Sequence, residues 1–207
     1  MYAAGLVAAW LGLGAVAHAQ ALPRPSLGET SLAGFSTEVQ QRLERERVVL
    51  LPSDPAKPDA VVGLVLFSQP RARVWELLNQ TARQREYRPE ITHIETIERL
   101  PDGVVDRHRI RILFIGLTYN LRYRMEPSTS HIEWALDPRF ENGVEQIAGT
   151  WDLLDMNGDR TLGKFTTTVR VGAALPHALQ DAITRRKVPD TLDNVRQWVD
   201  SSGRWRP

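Results

Sequence analysis

The 207 residues are 42% hydrophobic and 25% charged, a globular composition that excludes a disordered chain and a bundle of membrane spans. With 26 Lys and Arg against 25 Asp and Glu, the net charge of +1 gives no reason to expect a polyanion, and nucleic acid is set aside as a partner. No cysteine is present, which removes disulfides, thiolate metal sites, a cysteine nucleophile and a lipidated N-terminal cysteine together.

Ala3 to Ala17 is uncharged, built from Ala, Gly, Leu, Val and Trp, and is followed by Ala17-His18-Ala19. As a helix it spans roughly 22 Å, short of the ~30 Å a membrane core requires. Residues 1–19 therefore read as a signal peptide with an A-x-A cleavage site, and the protein as exported, periplasmic or secreted. No Lys or Arg precedes the apolar run, so an uncleaved anchor stays open. Residues 20–44 read as a linker, punctuated by Pro23, Pro25, Gly28 and Gly34, and a short helix. That helix covers Thr37 to Arg47, with Val39 and Leu43 four apart.

Val48 to Leu51 can begin a strand before the Pro52, Pro55 and Pro58 cluster, and Val61 to Phe67 is apolar and β-branched. Ser68-Gln69-Pro70 then opens a helix carrying Val74, Leu77 and Leu78. Tyr87-Arg88-Pro89 ends it, and the apolar period changes from 3.6 to 2. Strands are predicted over Ile91 to Leu100, Val104 to Gly116, Thr118 to Met125, His131 to Leu136, Val144 to Leu154 and Thr161 to Val171. The separators carry the Gly, Pro, Asn and Asp of tight turns, so neighbours run antiparallel. With Val61 to Phe67 this makes seven strands. Leu175 to Val199 has one apolar stripe and reads as a long terminal helix, which Pro189 should kink and so make part of it a gate.

Alternation assigns one apolar face to the sheet. Ile112 and Phe114 lie on it with His108 and Ile110, followed by Leu121 and Tyr123 with Tyr119, then Trp134. Ile147, Gly149 and Trp151 form the inner row of the next strand, and Phe165 leads that of the last. Gly149 weakens a strand, which predicts a bend or a close neighbour at that point. One helix cannot cover so wide an apolar face, so the sheet either curls and fills itself or leaves a pocket.

The order strand, helix, six-stranded meander and long helix resembles the START-like (SRPBCC) superfamily, within it the polyketide cyclase/dehydrase and lipid-transport group. The residues that carry the resemblance are Phe67-Ser68-Gln69-Pro70-Arg71-Ala72-Arg73-Val74-Trp75, Tyr87-Arg88-Pro89-Glu90-Ile91, Gly149-Thr150-Trp151 and Leu175-Pro176, across about residues 45 to 200. It implies an α+β helix-grip domain over 45–200, a curved sheet wrapped around the C-terminal helix, with an apolar small molecule held between them. The expected ligand wall is the inner row above, from Ile112 to Phe165, under Leu179 and Ile183 of the helix. No cofactor is called for. The leading expectation is a binder or carrier of a lipid, sterol, quinone or polyketide-like molecule. The alternative is a cyclase or dehydratase, for which Asp106, His108, Tyr119, Tyr123 and Glu145 have inward parity.

The five histidines show no paired ligand spacing, so no metal site is expected. Arg107, Arg109, Arg111, Arg122 and Arg124 gather on the outer face. They read as a solvated surface paired with acids such as Glu133, the sharper reading being transient contact with an anionic membrane surface.

Overall fold

The computed structural model of the protein describes residues 34–112, 115–172 and 177–207. The expected signal peptide and the first part of the linker lie outside them. In chain order the elements are α1 (Thr37–Glu46), β1 (Val48–Leu50), β2 (Ala60–Phe67), α2 (Arg71–Leu78), a 3-10 helix (Thr81–Glu86), β3 (Ile91–Leu100), β4 (Gly103–Ile112), β5 (Ile115–Glu126), β6 (His131–Leu136), β7 (Gln146–Met156), β8 (Arg160–Arg170) and α3 (His177–Asp200).

All strands join one open antiparallel sheet in the order β1-β2-β8-β7-β6-β5-β4-β3. Consecutive strands from β3 to β8 are neighbours, and β2 closes on β8 through the register Ala60↔Thr168 to Phe67↔Thr161. The α2 helix and the 3-10 helix carry the chain from β2 at one side to β3 at the far edge. Among the described residues the expected seven strands become eight. The extra one, Val48–Leu50, pairs with Val65 to Gly63, and at three residues it is too short for alternation to mark it firmly.

The β4–β5 reversal also differs from expectation. Ile112 pairs with Ile115 and Arg111 with Gly116, so Gly116 is a strand residue rather than the turn. Phe114, predicted on the inner row, lies outside the described residues. The terminal helix runs unbroken through Pro189, and its C-terminal half is pinned. Trp198 Nε1 donates to Glu86 at 3.0 Å, Asn194 Nδ2 donates to the Tyr87 carbonyl at 3.1 Å, and the Arg83 guanidinium sits 4.8 Å from the Trp198 ring centre.

Two cores flank the sheet. The inner one joins Val65 and Phe67 of β2, Ile132 and Trp134 of β6, and Trp151 and Leu153 of β7 to Val74, Leu77 and Leu78 of α2 and to Leu192, Val195, Trp198 and Val199 of α3. Leu192 comes down on Gly63 of β2, where any Cβ would collide with it. The outer core is smaller: Leu43 of α1 and Val49 of β1 pack on Leu64 and Leu66 of β2 and on Leu162 of β8. Thus α1, which the sequence reading sets apart from the folded unit, covers the outer face of the sheet. Ser36 caps it by accepting from the Val39 amide at 3.3 Å, and Arg47 ends it with φ 65°. Because β2 is buried on both faces, its sequence reads as a continuous apolar run rather than an alternation.

Candidate ligand site

The inner face carries an unbroken line of rings. Phe67 meets Trp151 at 6.1 Å between ring centres, Trp151 meets Phe165 at 4.9 Å, and Phe165 meets Trp134 at 5.7 Å. Trp134 continues to Tyr123 at 6.3 Å, and Tyr123 to His108 at 6.2 Å. His108 ends the line stacked on Tyr119 at 5.2 Å with the planes 10° apart. Tilted pairs at these distances are the favourable arrangements for aromatic rings, so the row is packed rather than merely adjacent.

Gly149 explains how that row fits the sheet. A Cβ there would enter both the Trp134 indole and the Thr166 carbonyl. The glycine is therefore the floor on which Trp134 lies, and the close neighbour foreseen for it is this side chain of the protein itself. Of the other predicted wall residues, Leu121, Tyr123, Trp134 and Trp151 are buried on the inner face, while Ile112, Ile147 and Phe165 are partly buried. Leu179 and Ile183 belong to α3, but their side chains, like Phe114, lie outside the described residues.

One end of this face stays apolar and open. Ile147 pairs with Val169, whose 38% exposure is the largest of any big apolar side chain among the described residues. Ile112, Leu117 and Val171 are partly buried and pack on the same core.

The other end is polar and closed. Asp106 is fully buried and accepts from the hydroxyls of Thr81 and of Thr96, the latter at 2.6 Å. These two bonds tie the 3-10 helix and β3 to β4. Gln84 Nε2 donates to the Tyr123 hydroxyl at 2.9 Å, and that hydroxyl lies 3.3 Å from His108 Nε2. Arg88 donates to Glu90 at 2.8 Å and to Gln84 Oε1 at 3.1 Å. Burial opposes both charges of the Arg88–Glu90 pair, yet each partner holds the other ionised: Arg88 is raised above its ordinary range and Glu90 lowered below its own.

Burial and the nearby Arg88 charge push His108 down to about 3, so its imidazole is neutral at any ordinary pH. Burial also raises the Tyr119 and Tyr123 phenols. Of the five inward-parity polar residues, four converge here, whereas Glu145 is exposed just before β7. Thr81, Gln84, Arg88 and Glu90 were not foreseen as part of this cluster. A polar 3-10 helix shows no period from which its inward side can be read.

On the outer face Arg124 pairs with Glu133 at 2.7 Å, as expected, and Arg107 donates to Asn120 at 3.1 Å, while Arg109, Arg111 and Arg122 are exposed. His131, also on that face, bonds Asp152 at 2.6 Å, and this bond raises its pKa against the effect of burial. Among the described residues no three metal-ligating side chains gather, and no helix is long and apolar enough to cross a membrane.

No family model matches the chain, and no curated protein matches it by sequence. Solved structures do match it. The Zhui aromatase/cyclase from Streptomyces sp. R1128 is 19% identical over 70% of this chain and 95% of its own, with a TM-score of 0.59. A START superfamily protein from Mycobacterium smegmatis is 14% identical over 69% and 97%, also with a TM-score of 0.59. A STAR-related lipid transfer protein from Xanthomonas axonopodis is 12% identical over 74% and 98%, again with a TM-score of 0.59. The fold is thus the helix-grip fold of START-like proteins. The solved structures that share it include a START superfamily protein, a STAR-related lipid transfer protein and an aromatase/cyclase.

Proposed function

We propose that this protein binds or carries an apolar small molecule on the inner face of the sheet, beneath α3, outside the cytoplasm. The observation that carries the reading is the aromatic row from Phe67 to His108, open and apolar at the Val169 end and closed by a polar cluster at the other. An apolar ligand reaching this end would cover Val169 and the partly buried Ile112 and Ile147, which the described residues leave in part uncovered. The fold shared with a lipid transfer protein and with an aromatase/cyclase supports a lipid, sterol, quinone or polyketide-like molecule. Burying about 300 Å² of apolar ligand surface at about 25 cal/mol per Å² gives on the order of 7 kcal/mol before association costs, which sets micromolar binding as the best that apolar burial reaches without polar contacts.

Carriage is favoured over chemistry by the way the inward polar groups are used. Asp106 is engaged by two threonines, the Tyr123 hydroxyl bonds Gln84 and His108, and Glu145 faces solvent. Neither carboxylate is left free beside the apolar row. Export is supported by the apolar run Ala3 to Ala17 and by Ala17-His18-Ala19.

Mass spectrometry of an organic extract of the protein from its own host should recover an apolar compound. Titration with fatty acids, sterols, quinones and aromatic polyketides should find micromolar binding by at least one class, with the compound recovered unchanged. If none binds, the reading fails, and a compound returned altered would establish the cyclase or dehydratase alternative. The N-terminus of the same preparation should begin at Gln20, and an intact Met1 on cytoplasmic protein would refute export.

A further inference from the structure

The polar cluster contains one group whose bonding is incomplete. His108 has no exposed surface, and its Nδ1 finds no partner among the described residues. Its tautomer follows from its neighbours. Gln84 donates to the Tyr123 oxygen, which leaves the phenolic hydrogen to be given, and His108 Nε2 at 3.3 Å is there to accept it. The neutral ring then carries its own hydrogen on Nδ1, and that N–H is a buried donor without an acceptor. Buried donors in folded proteins are almost always paired, so a lone one marks a place where something else binds.

Its surroundings narrow what that is. One face of the ring is covered by Tyr119, the Nε2 edge is taken by Tyr123, and Ile94 is its partner across β3. The nearby Arg88 charge is already paired with Glu90 at 2.8 Å, so an ionised group finds no free counter-charge here. What suits a neutral N–H beside apolar and aromatic side chains is a neutral acceptor oxygen.

We infer that the His108 Nδ1–H is held for the carbonyl oxygen of the bound molecule, so the ligand class is an apolar body bearing a ketone or quinone-type carbonyl at its inner end. This rests on the ligand-binding reading above and gives that ligand a direction: carbonyl at His108, body along Tyr123, Trp134 and Phe165, tail toward Val169. The Tyr123 and Gln84 contacts act by fixing the tautomer, so both are positioning residues. Burial keeps the ring neutral and therefore keeps Nε2 an acceptor.

The test uses matched pairs that differ only in the carbonyl: 9-fluorenone against fluorene and 7-tridecanone against tridecane. In the parent protein the ketone of at least one pair should bind about tenfold more tightly than its hydrocarbon, the discrimination expected when a buried donor is left unpaired. In His108→Phe the two members of that pair should bind equally. Nitrogen-15 NMR of the parent gives a readout independent of that variant's folding: His108 should show the Nδ1–H tautomer, and the Nδ1 proton should move downfield with the ketone and stay in place with the hydrocarbon. Equal binding of ketone and hydrocarbon by the parent, or a ketone preference surviving in His108→Phe, overturns the inference while leaving apolar binding intact. An Nδ1–H signal unmoved by bound ketone overturns it too, and shows that a buried water only is the partner. Failure of all four compounds to bind, together with failure of the wider lipid and polyketide panel, removes both the inference and the reading on which it rests.

Discussion

His108 couples the site to acid stability, because its folded pKa of about 3 lies below the ordinary histidine value of 6.5. For a group whose folded pKa is depressed, the stabilisation is complete above the unfolded pKa and is lost as pH falls toward the folded one. The parent should therefore lose stability between about pH 6.5 and pH 3, with this residue contributing up to about 1.4 kcal/mol per pH unit inside that window. Glu86 and Asp137, held low by their bonds to Arg83 and Arg139, add acid losses, but these begin nearer the ordinary carboxylate range. Denaturant midpoints measured from pH 7 to pH 4 in parent and His108→Phe separate the two sources. The variant should be the less pH-dependent protein by about one proton, and identical slopes would show that the imidazole charges freely in the fold. Gly149 has a steric role at the same scale. Gly149→Ala should cost about 1–3 kcal/mol, read as a lowered denaturant midpoint with unchanged slope, since neither the Trp134 ring nor the Thr166 carbonyl can retreat far.

Among the elements, α1 is the one whose contribution is least evident from the chain. Its single fully buried residue, Leu43, packs on Val49, Leu64, Leu66 and Leu162. Leu43→Ala should cost about 2–5 kcal/mol in unfolding free energy and leave ligand affinity unchanged, because the cavity opens on the face of the sheet away from the aromatic row. A loss of under 0.5 kcal/mol would mean that α1 is an ornament on the sheet rather than part of its core. The elements also show what a sequence can and cannot disclose. The long strands β3 to β8 were legible because alternation over ten or so residues repeats the same choice of face many times, and the ring-bearing positions Tyr119, Tyr123, Trp134, Trp151 and Phe165 followed from it. β1 has only three residues in which to alternate. Gly116 carries a turn signal, yet it pairs with Arg111 because the chain reverses before it. The polar cluster was half legible: parity put Asp106 and Tyr123 inside, but their partners Thr81 and Gln84 come from a 3-10 helix with no apolar period, and only the folded chain brings them together.

At the scale of the molecule, three of the six tryptophans are placed so that occupancy and folding can be read separately. Trp134 and Trp151 sit in the aromatic row, whereas Trp198 is bound to Glu86 and Arg83 in the seam between α3 and the 3-10 helix. A quenching ligand such as a quinone, lying along the row, comes within contact of the first two and remains screened from the third. Trp134→Phe, which keeps a ring on Gly149, should therefore remove a large share of the fluorescence change on titration while shifting affinity by less than about tenfold. Trp198→Phe should preserve the change on titration and lower stability instead, by about 1–3 kcal/mol, since it leaves the buried side of Glu86 short of a donor. The comparison needs only the parent, the two variants and one quinone that binds. If the Trp198→Phe protein loses the titration signal and the Trp134→Phe protein keeps it, the ligand lies along α3 and not along the sheet, and the site must be moved to the helix side of the fold.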